Sequence, residues 1–211
     1  MAIVGTSIFD ISGKLGDLVY YRYKGRRMVR KAPAVRKNNP SPLQLENQAK
    51  FVLMGNFLRP LSGLLEKTYN INNRKKSSHQ KAFSENYYNA LTGKYPTHSI
   101  DYSKVRLGRG LLCNCAEATV HSPDPGKLVV SWPESENWRQ SMSSDQVYVA
   151  VYSEKLNRWI YKLGCTERCK KICRVDVAPF SGTRVHVYMG FNSADGKQAS
   201  DSLYTGSLMI S

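Results

Sequence analysis

The side chains best suited to chemistry in this 211-residue chain are five cysteines and four histidines. Cys165, Cys169 and Cys173 recur at four-residue intervals and form the one group of thiols whose spacing invites a test for metal binding. Common zinc sites pair cysteines across two intervening residues, and no pair in this chain has that spacing. We therefore predict structural thiols, because free cysteine behaves as a small buried apolar residue; a disulfide and a metal site are the alternatives.

The other reactive residues give little support to an enzymatic function. The four histidines, His79, His98, His121 and His186, form no metal-binding pair of the His-x-x-x-His kind. The phosphate-loop signature, GxxxxGK followed by Ser or Thr, does not occur, and the six acidic residues of the first 110 positions are widely scattered. Catalysis needs a nucleophile with a base, a carboxylate pair or a metal cluster. The sequence therefore predicts a protein that is not an enzyme and has no cofactor and no metal.

The strongest feature of the chain is a basic run near its N-terminus. Eight lysines and arginines and no acidic residue lie between Leu18 and Leu45, with tyrosines threaded through the first half. Because an isolated buried cation is costly, this run must face water or an anionic partner. We predict contact with that partner by Tyr20, Tyr21, Arg22, Tyr23, Lys24, Arg26, Arg27, Arg30, Lys31, Arg36 and Lys37.

Positive charge is concentrated in one half of the chain. Residues 1–110 carry a net charge of +14, whereas residues 111–211 carry +1. Such asymmetry points to an anionic contact confined to one module. Three interpretations remain open: a solvated basic face, contact with an acidic neighbouring subunit, and contact with nucleic acid without sequence readout.

The elements that carry the basic run are a hairpin and a linker. Leu18–Tyr23 and Arg27–Lys31 mix β-branched or aromatic residues with cations, and the intervening Lys24-Gly25-Arg26 supplies the turn. Three prolines within residues 32–42 then favour an extended linker.

Helices are predicted after the linker. Apolar residues at helical spacing predict a helix from about Pro42 to Arg59, a break at Pro60 and a second piece to Tyr69. A third helix is predicted to start at Ser78 and to end before Gly93.

From about residue 110 the pattern changes to seven short apolar or alternating runs separated by turn residues. Seven strands in about a hundred residues predict an immunoglobulin-like or fibronectin-like antiparallel β-sandwich, with Trp132 and Trp159 in its core and Cys113 and Cys115 on one strand. The fold class is thus α+β, with domains at 1–110 (hairpin, linker and helices) and 111–211 (sandwich). A hydrophobic content of 41% is enough to build a core.

This order of parts resembles a known kind of protein. Gly13-x-x-Gly16, Lys24-Gly25, Val29-Arg30-x-x-Pro33 and the Ser41–Gln44 helix start, followed by a β-sandwich, are similar to an uncharacterised family found in gut Bacteroidota and their phages. The resemblance implies a layout like that of virion proteins that build rings, connectors or tail parts. It implies no catalytic residues.

Together these features predict a structural or assembly protein that forms a homo-oligomer or binds other structural subunits. It would contact these neighbours through the basic run and the sandwich. The tyrosines would anchor the hairpin to a neighbour, and the arginines would pair with acidic groups there. A sequence-nonspecific nucleic-acid-binding protein is the alternative. The N-terminus lacks a signal-peptide pattern and no long apolar run occurs, so we expect no membrane contact and a location in the virion or the host cytoplasm.

Overall fold

A computed structural model of the chain describes residues 2–3, 12–33, 39–69, 77–134 and 142–211. The chain divides into two compact units, Met1–Ser41 and Pro42–Ser211. This division does not coincide with the boundary near residue 110 that the charge and periodicity patterns indicate. The helices belong to the same unit as the β-sandwich, because their apolar faces pack on one of its sheets.

The N-terminal unit is an antiparallel sheet of four strands in the order β1-β4-β3-β2. The central hairpin that the sequence predicts is present, and its turn contains only Lys24 and Gly25. Both turn residues have positive φ, 49° and 77°, as a two-residue hairpin of type I′ requires. The strands are β1 (Ala2–Ile3), β2 (Gly13–Leu15), β3 (Leu18–Tyr23) and β4 (Arg26–Lys31).

Three helices begin the second unit. They are α1 (Pro42–Leu58), α2 (Ser62–Thr68) and α3 (Ser78–Asn89). A single 3-10 turn at Arg59–Leu61 separates the first two, with Pro60 within it, because proline cannot donate the hydrogen bond that would continue an α-helix. The third helix starts at a capping box, in which the Ser77 side chain accepts from the Gln80 amide while the Gln80 side chain accepts from the Ser77 amide. A two-stranded ribbon follows, formed by β5 (Leu91–Thr92) and β6 (Ser99–Ile100).

Seven further strands form the sandwich, which confirms the predicted fibronectin-like fold. One sheet has the order β11-β8-β7 and the other β10-β9-β12-β13, and every pairing is antiparallel. Two antiparallel sheets that pack over a shared core are the sandwich architecture common to immunoglobulin-like and fibronectin type III domains. The strands are β7 (Thr119–His121), β8 (Lys127–Ser131), β9 (Gln146–Ser153), β10 (Arg158–Lys162), β11 (Ile172–Asp176), β12 (Arg184–Asn192) and β13 (Leu203–Met209).

The strand predicted across Cys113 and Cys115 is wrong. The chain there makes a single bridge, from Leu112 to Ser200, and a continuous strand begins only at Thr119. Asn114 explains part of the irregularity, because its side chain accepts a hydrogen bond from the Cys115 amide and donates one to the Asp201 carbonyl. A backbone amide satisfied locally by a side chain is not available to a sheet ladder.

Two buried clusters lie on the two sides of the β9–β12 sheet. Alternate residues of β9 point to opposite faces, so one face of this strand fills the sandwich interior and the other packs against the helices. The interior face carries Val147, Val149 and Val151, and the helix-facing side carries Tyr148, Ala150 and Tyr152.

The two tryptophans fall on different sides of this sheet. Trp132 lies in the sandwich interior, edge-on to Phe191 with 5.8 Å between ring centroids, as predicted. Trp159 packs instead in the helix-facing cluster, where its Nε1 donates to the Phe57 carbonyl at 2.9 Å. Its hydrogen bond therefore joins α1 to the sheet.

Candidate functional site

The basic hairpin presents two chemically different faces. In the register of β3 and β4, directly opposed residues share a face, so the strand pairing assigns every side chain to one side or the other. We call one side the tyrosine–arginine face; it contains Lys14, Val19, Tyr21, Tyr23, Arg26, Met28 and Arg30. The opposite side of the hairpin carries Leu18, Tyr20, Arg22, Arg27, Val29 and Lys31.

Aromatic rings and cations are interleaved on the tyrosine–arginine face. The Arg30 guanidinium carbon lies 5.7 Å from the centroid of the Tyr21 ring. At the turn, Lys24 Nζ lies 5.5 Å from the centroid of the Tyr23 ring. Cation–π contacts at exposed sites contribute only about 0.5–1 kcal/mol, so these pairs orient the cations without neutralising them.

The charge of this face is not compensated within the described part of the chain. Residues 12–33 contain seven lysines and arginines and one acidic residue, Asp17. Among the described residues, no carboxylate lies within 4 Å of a side-chain nitrogen of Lys14, Arg26 or Arg30. Among the described residues, the positive charge of these three side chains is therefore not offset by a neighbouring carboxylate.

The predicted contact residues are only partly brought together. Tyr21, Tyr23, Arg26 and Arg30 share the tyrosine–arginine face, and Lys24 lies at its end. The opposite face holds Tyr20, Arg22, Arg27 and Lys31, so the three tyrosines are divided between two faces. Arg36 and Lys37 lie outside the described residues.

Lys14 lies on the same face as the predicted contact residues but was not predicted from the sequence. Pairing of β2 with β3 places Lys14 opposite Val19, on the same face as Tyr21 and Arg30. The signal that could have identified it is the Gly16-Asp17 turn, which brings residues 13–15 back along β3. Gly16 has a φ of 59°, which favours glycine at this turn.

Cys165, Cys169 and Cys173 differ in their surroundings. Among the described residues, no group of three or more His, Cys, Asp or Glu side chains is arranged to hold a metal ion. Cys173 is buried in the sandwich interior, Cys165 packs against the same cluster, and Cys169 is exposed with its thiol 3.6 Å from a Glu167 carboxylate oxygen. All five thiols are free.

The buried thiols have shifted pKa values. Burial raises the pKa of the Cys115 thiol to about 11. The hydrogen bond between the Cys165 and Cys173 thiols lowers the pKa of Cys165 and raises that of Cys173, which burial raises further. Cys115 and Cys173 are therefore protonated near neutral pH.

Comparison with known proteins places the chain in a family. Residues 10–206, nearly the whole sequence, match one family model. The chain belongs to the family of unknown function DUF6266. The DUF6266 match spans the hairpin, the helices and the sandwich together, and no curated protein matches the sequence.

Solved structures are similar to the DUF6266 chain over about half its length. The fibronectin type III domain of human collagen alpha-1(XX) chain is 11% identical at a TM-score of 0.37, covering 49% of this chain and 90% of that one. A myokine structure is 15% identical at a TM-score of 0.35, covering 47% of this chain and 96% of that one. No described helix of this chain has the length and apolar character needed to cross a membrane.

Proposed function

We propose that this DUF6266 protein is a non-enzymatic assembly protein that binds a neighbouring subunit through the tyrosine–arginine face. The observation that carries the proposal is the exposure of the N-terminal sheet. No described residue of 12–33 is fully buried. Because a β-sheet normally buries one face against another layer, such a sheet is suited to completing its packing against a partner.

The composition of the face supports a protein partner. Tyrosine, methionine and arginine are enriched at the centres of protein interfaces, and this face combines Tyr21, Met28 and Arg30 within adjacent positions of one hairpin. Tyr21 and Met28 are directly opposed and half-buried, so they offer an apolar centre, while Arg26 and Arg30 flank it with charge. The biological setting that we propose is a phage-type virion, in which the protein forms part of a ring, connector or tail.

Self-association of the full chain tests the proposal. We expect sedimentation velocity to show concentration-dependent oligomers of the wild type, weakened at least tenfold in the Arg26→Glu/Arg30→Glu variant, because charge-assisted hydrogen bonds contribute about 1.5–3 kcal/mol each. The matched control is Arg174→Glu/Arg184→Glu, which makes the same charge change at two exposed positions of the sandwich. A wild type that remains monomeric at every accessible concentration would contradict the proposal.

Nonspecific nucleic-acid binding is a second candidate, favoured by the tyrosine rings that lie among cations on one face. Bases of any sequence stack on such rings while cations neutralise phosphates. If about six phosphates are contacted, the affinity for a single-stranded oligonucleotide should fall by roughly three decades between 50 and 200 mM salt. Absent binding at low salt excludes this candidate and leaves the protein partner.

A further inference from the structure

A cavity of about 320 Å³ lies in the second unit, and none of the residues that line it belongs to the basic run. It is bounded by α1, by the segment around β6 and by the turn between β9 and β10. Its aromatic side is formed by Phe57, Tyr102 and Tyr152, and its polar side includes His98, Glu154 and Asn157.

The aromatic side is a continuous wall of packed rings. The Phe57 and Tyr152 rings meet edge to face with centroids 5.0 Å apart, and the centroids of Tyr102 and Tyr152 are 5.5 Å apart. The Tyr152 hydroxyl donates to Asn157 Oδ1 at 2.8 Å, which fixes both side chains at the edge of the cavity. Ring faces of this kind attract cations through their quadrupole.

The charge of the cavity is opposite to that of the chain. The net charge of the protein is +15, yet the described residues that line the cavity include the carboxylate of Glu154 and no lysine or arginine. Glu154 makes no ion pair with any described residue. Burial raises the pKa of Tyr102, and the nearby Tyr152 and Glu154 add to this rise.

His98 gives an independent sign of a missing partner. Its side chain is only 3% exposed, and neither ring nitrogen has a hydrogen-bond partner among the described residues. Nε2 lies 3.9 Å from Glu46 Oε1, beyond hydrogen-bond distance, and that oxygen accepts from Lys50 Nζ at 2.7 Å. A buried imidazole without partners is unfavourable, and a donor placed in the cavity would relieve this.

We propose that this cavity binds the guanidinium group of an arginine from the N-terminal unit of a second copy of the chain. The inference rests on the proposed self-association and names the surface that receives the arm. A guanidinium offers five donors in one plane and stacks on aromatic rings. The cavity offers possible acceptors in the Glu154 carboxylate and an unpartnered His98 ring nitrogen, beside the ring wall. Arg26 and Arg30 are the exposed arginines of the tyrosine–arginine face that carry the complementary charge.

The first experiment compares the full-length wild type with Glu154→Gln. We expect sedimentation velocity to show that the self-association constant falls about tenfold, because the substitution removes the charge of the cavity and keeps the shape of the side chain. Glu117→Gln is the matched control, because Glu117 is also exposed and lies outside the cavity. The association constant of this variant should stay within about twofold of the wild-type value. Equal association of wild type and Glu154→Gln would overturn the cavity as the receptor.

The second experiment uses argininamide as a probe of the full-length protein. We expect the His98 ring resonances to shift on titration at millimolar concentration, and the shift to be lost in Glu154→Gln. A monomeric wild type that shows the argininamide shift would overturn the self-association and the second-copy occupant while keeping the guanidinium site. An associating wild type without the shift would overturn the site and leave the proposed function intact. If an arginine of the protein occupied the cavity to the same extent at every protein concentration, this would also overturn the second copy as the source of that arginine.

Discussion

At the scale of single residues, two buried tyrosines differ in whether their hydroxyl groups have a partner. Tyr148 on β9 and Tyr188 on β12 are both fully buried in the helix-facing cluster. The Tyr188 hydroxyl donates to the Tyr102 carbonyl at 2.8 Å, whereas the Tyr148 hydroxyl has no partner in the described part of the chain. We expect Tyr188→Phe to lower the free energy of unfolding by about 0.5–1.5 kcal/mol and Tyr148→Phe to leave it unchanged or raise it. Urea denaturation of the two variants measures the difference.

The two substitutions are each other's control, because both remove one oxygen from a buried ring. The Tyr148 ring also has little room to move: a Cβ at Gly190 would lie 2.5 Å from its Cζ. Substituting the hydroxyl at either position leaves that ring contact in place. Equal losses of stability in the two variants would show that the Tyr148 hydroxyl is satisfied after all.

At the scale of elements, the connection between β10 and β11 is held by a buried ion pair. Arg168 Nε lies 3.2 Å from Asp145 Oδ2, Arg168 donates to the Cys113 carbonyl at 2.7 Å, and its guanidinium carbon lies 3.6 Å from the centroid of the Phe191 ring. Burial lowers the pKa of Arg168, and Asp145 opposes that shift. We expect Arg168→Met to lower the free energy of unfolding by about 3–5 kcal/mol, since it leaves the Asp145 carboxylate buried without its partner. Chemical denaturation measures this loss.

Arg174→Met is the control for this prediction. It makes the same side-chain change at an exposed position of β11 and should alter the free energy of unfolding by no more than about 0.5 kcal/mol. Adding Asp145→Asn to Arg168→Met should recover part of the loss, because the buried charge is then gone. If Arg168→Met and Arg174→Met were equally stable, the ion pair would not hold this connection.

Elements with a clear local period could be predicted from the sequence, and their packing partners could not. The break at Pro60 and the alternating strands follow from backbone chemistry within a few residues. The packing position of the helices does not follow from local sequence in this way. One indication was present in β9, because Val147–Tyr152 is apolar at every position, which is typical of a strand covered on both faces. A half-exposed sandwich strand would have alternated with polar residues. The helices cover the second face of β9.

The candidate sites show the same limit. The hairpin alternation assigns Tyr21 and Tyr23 to one face without further information, because cross-strand pairing is local. The cavity joins Phe57, His98, Tyr102 and Glu154, which approach only when α1 docks on the β9 sheet. No spacing in the sequence encodes that approach.

At the scale of the whole molecule, the two units differ in how they are stabilised. Every residue of the two buried clusters comes from the unit 42–211, which also holds all seven sandwich strands. Residues 1–41 contain nine lysines and arginines against two acidic residues, so they contribute charge rather than a buried core of described residues. A sheet of this kind is suited to binding, and its removal should separate stability from association.

Deletion of residues 1–41 tests that separation. We expect residues 42–211 to retain the circular dichroism of the folded unit and a thermal midpoint within about 2 °C of the full chain, because a shift of that size corresponds to less than about 1 kcal/mol. Self-association should be lost in sedimentation velocity, since the tyrosine–arginine face is gone while the receiving cavity remains. Each of the two measurements can contradict its expected result without the other doing so. A midpoint lowered by about 10 °C would assign residues 1–41 a stabilising role. Undiminished association would place the interface within residues 42–211, where β7, β10, β11 and β13 are the edge strands of the two sandwich sheets.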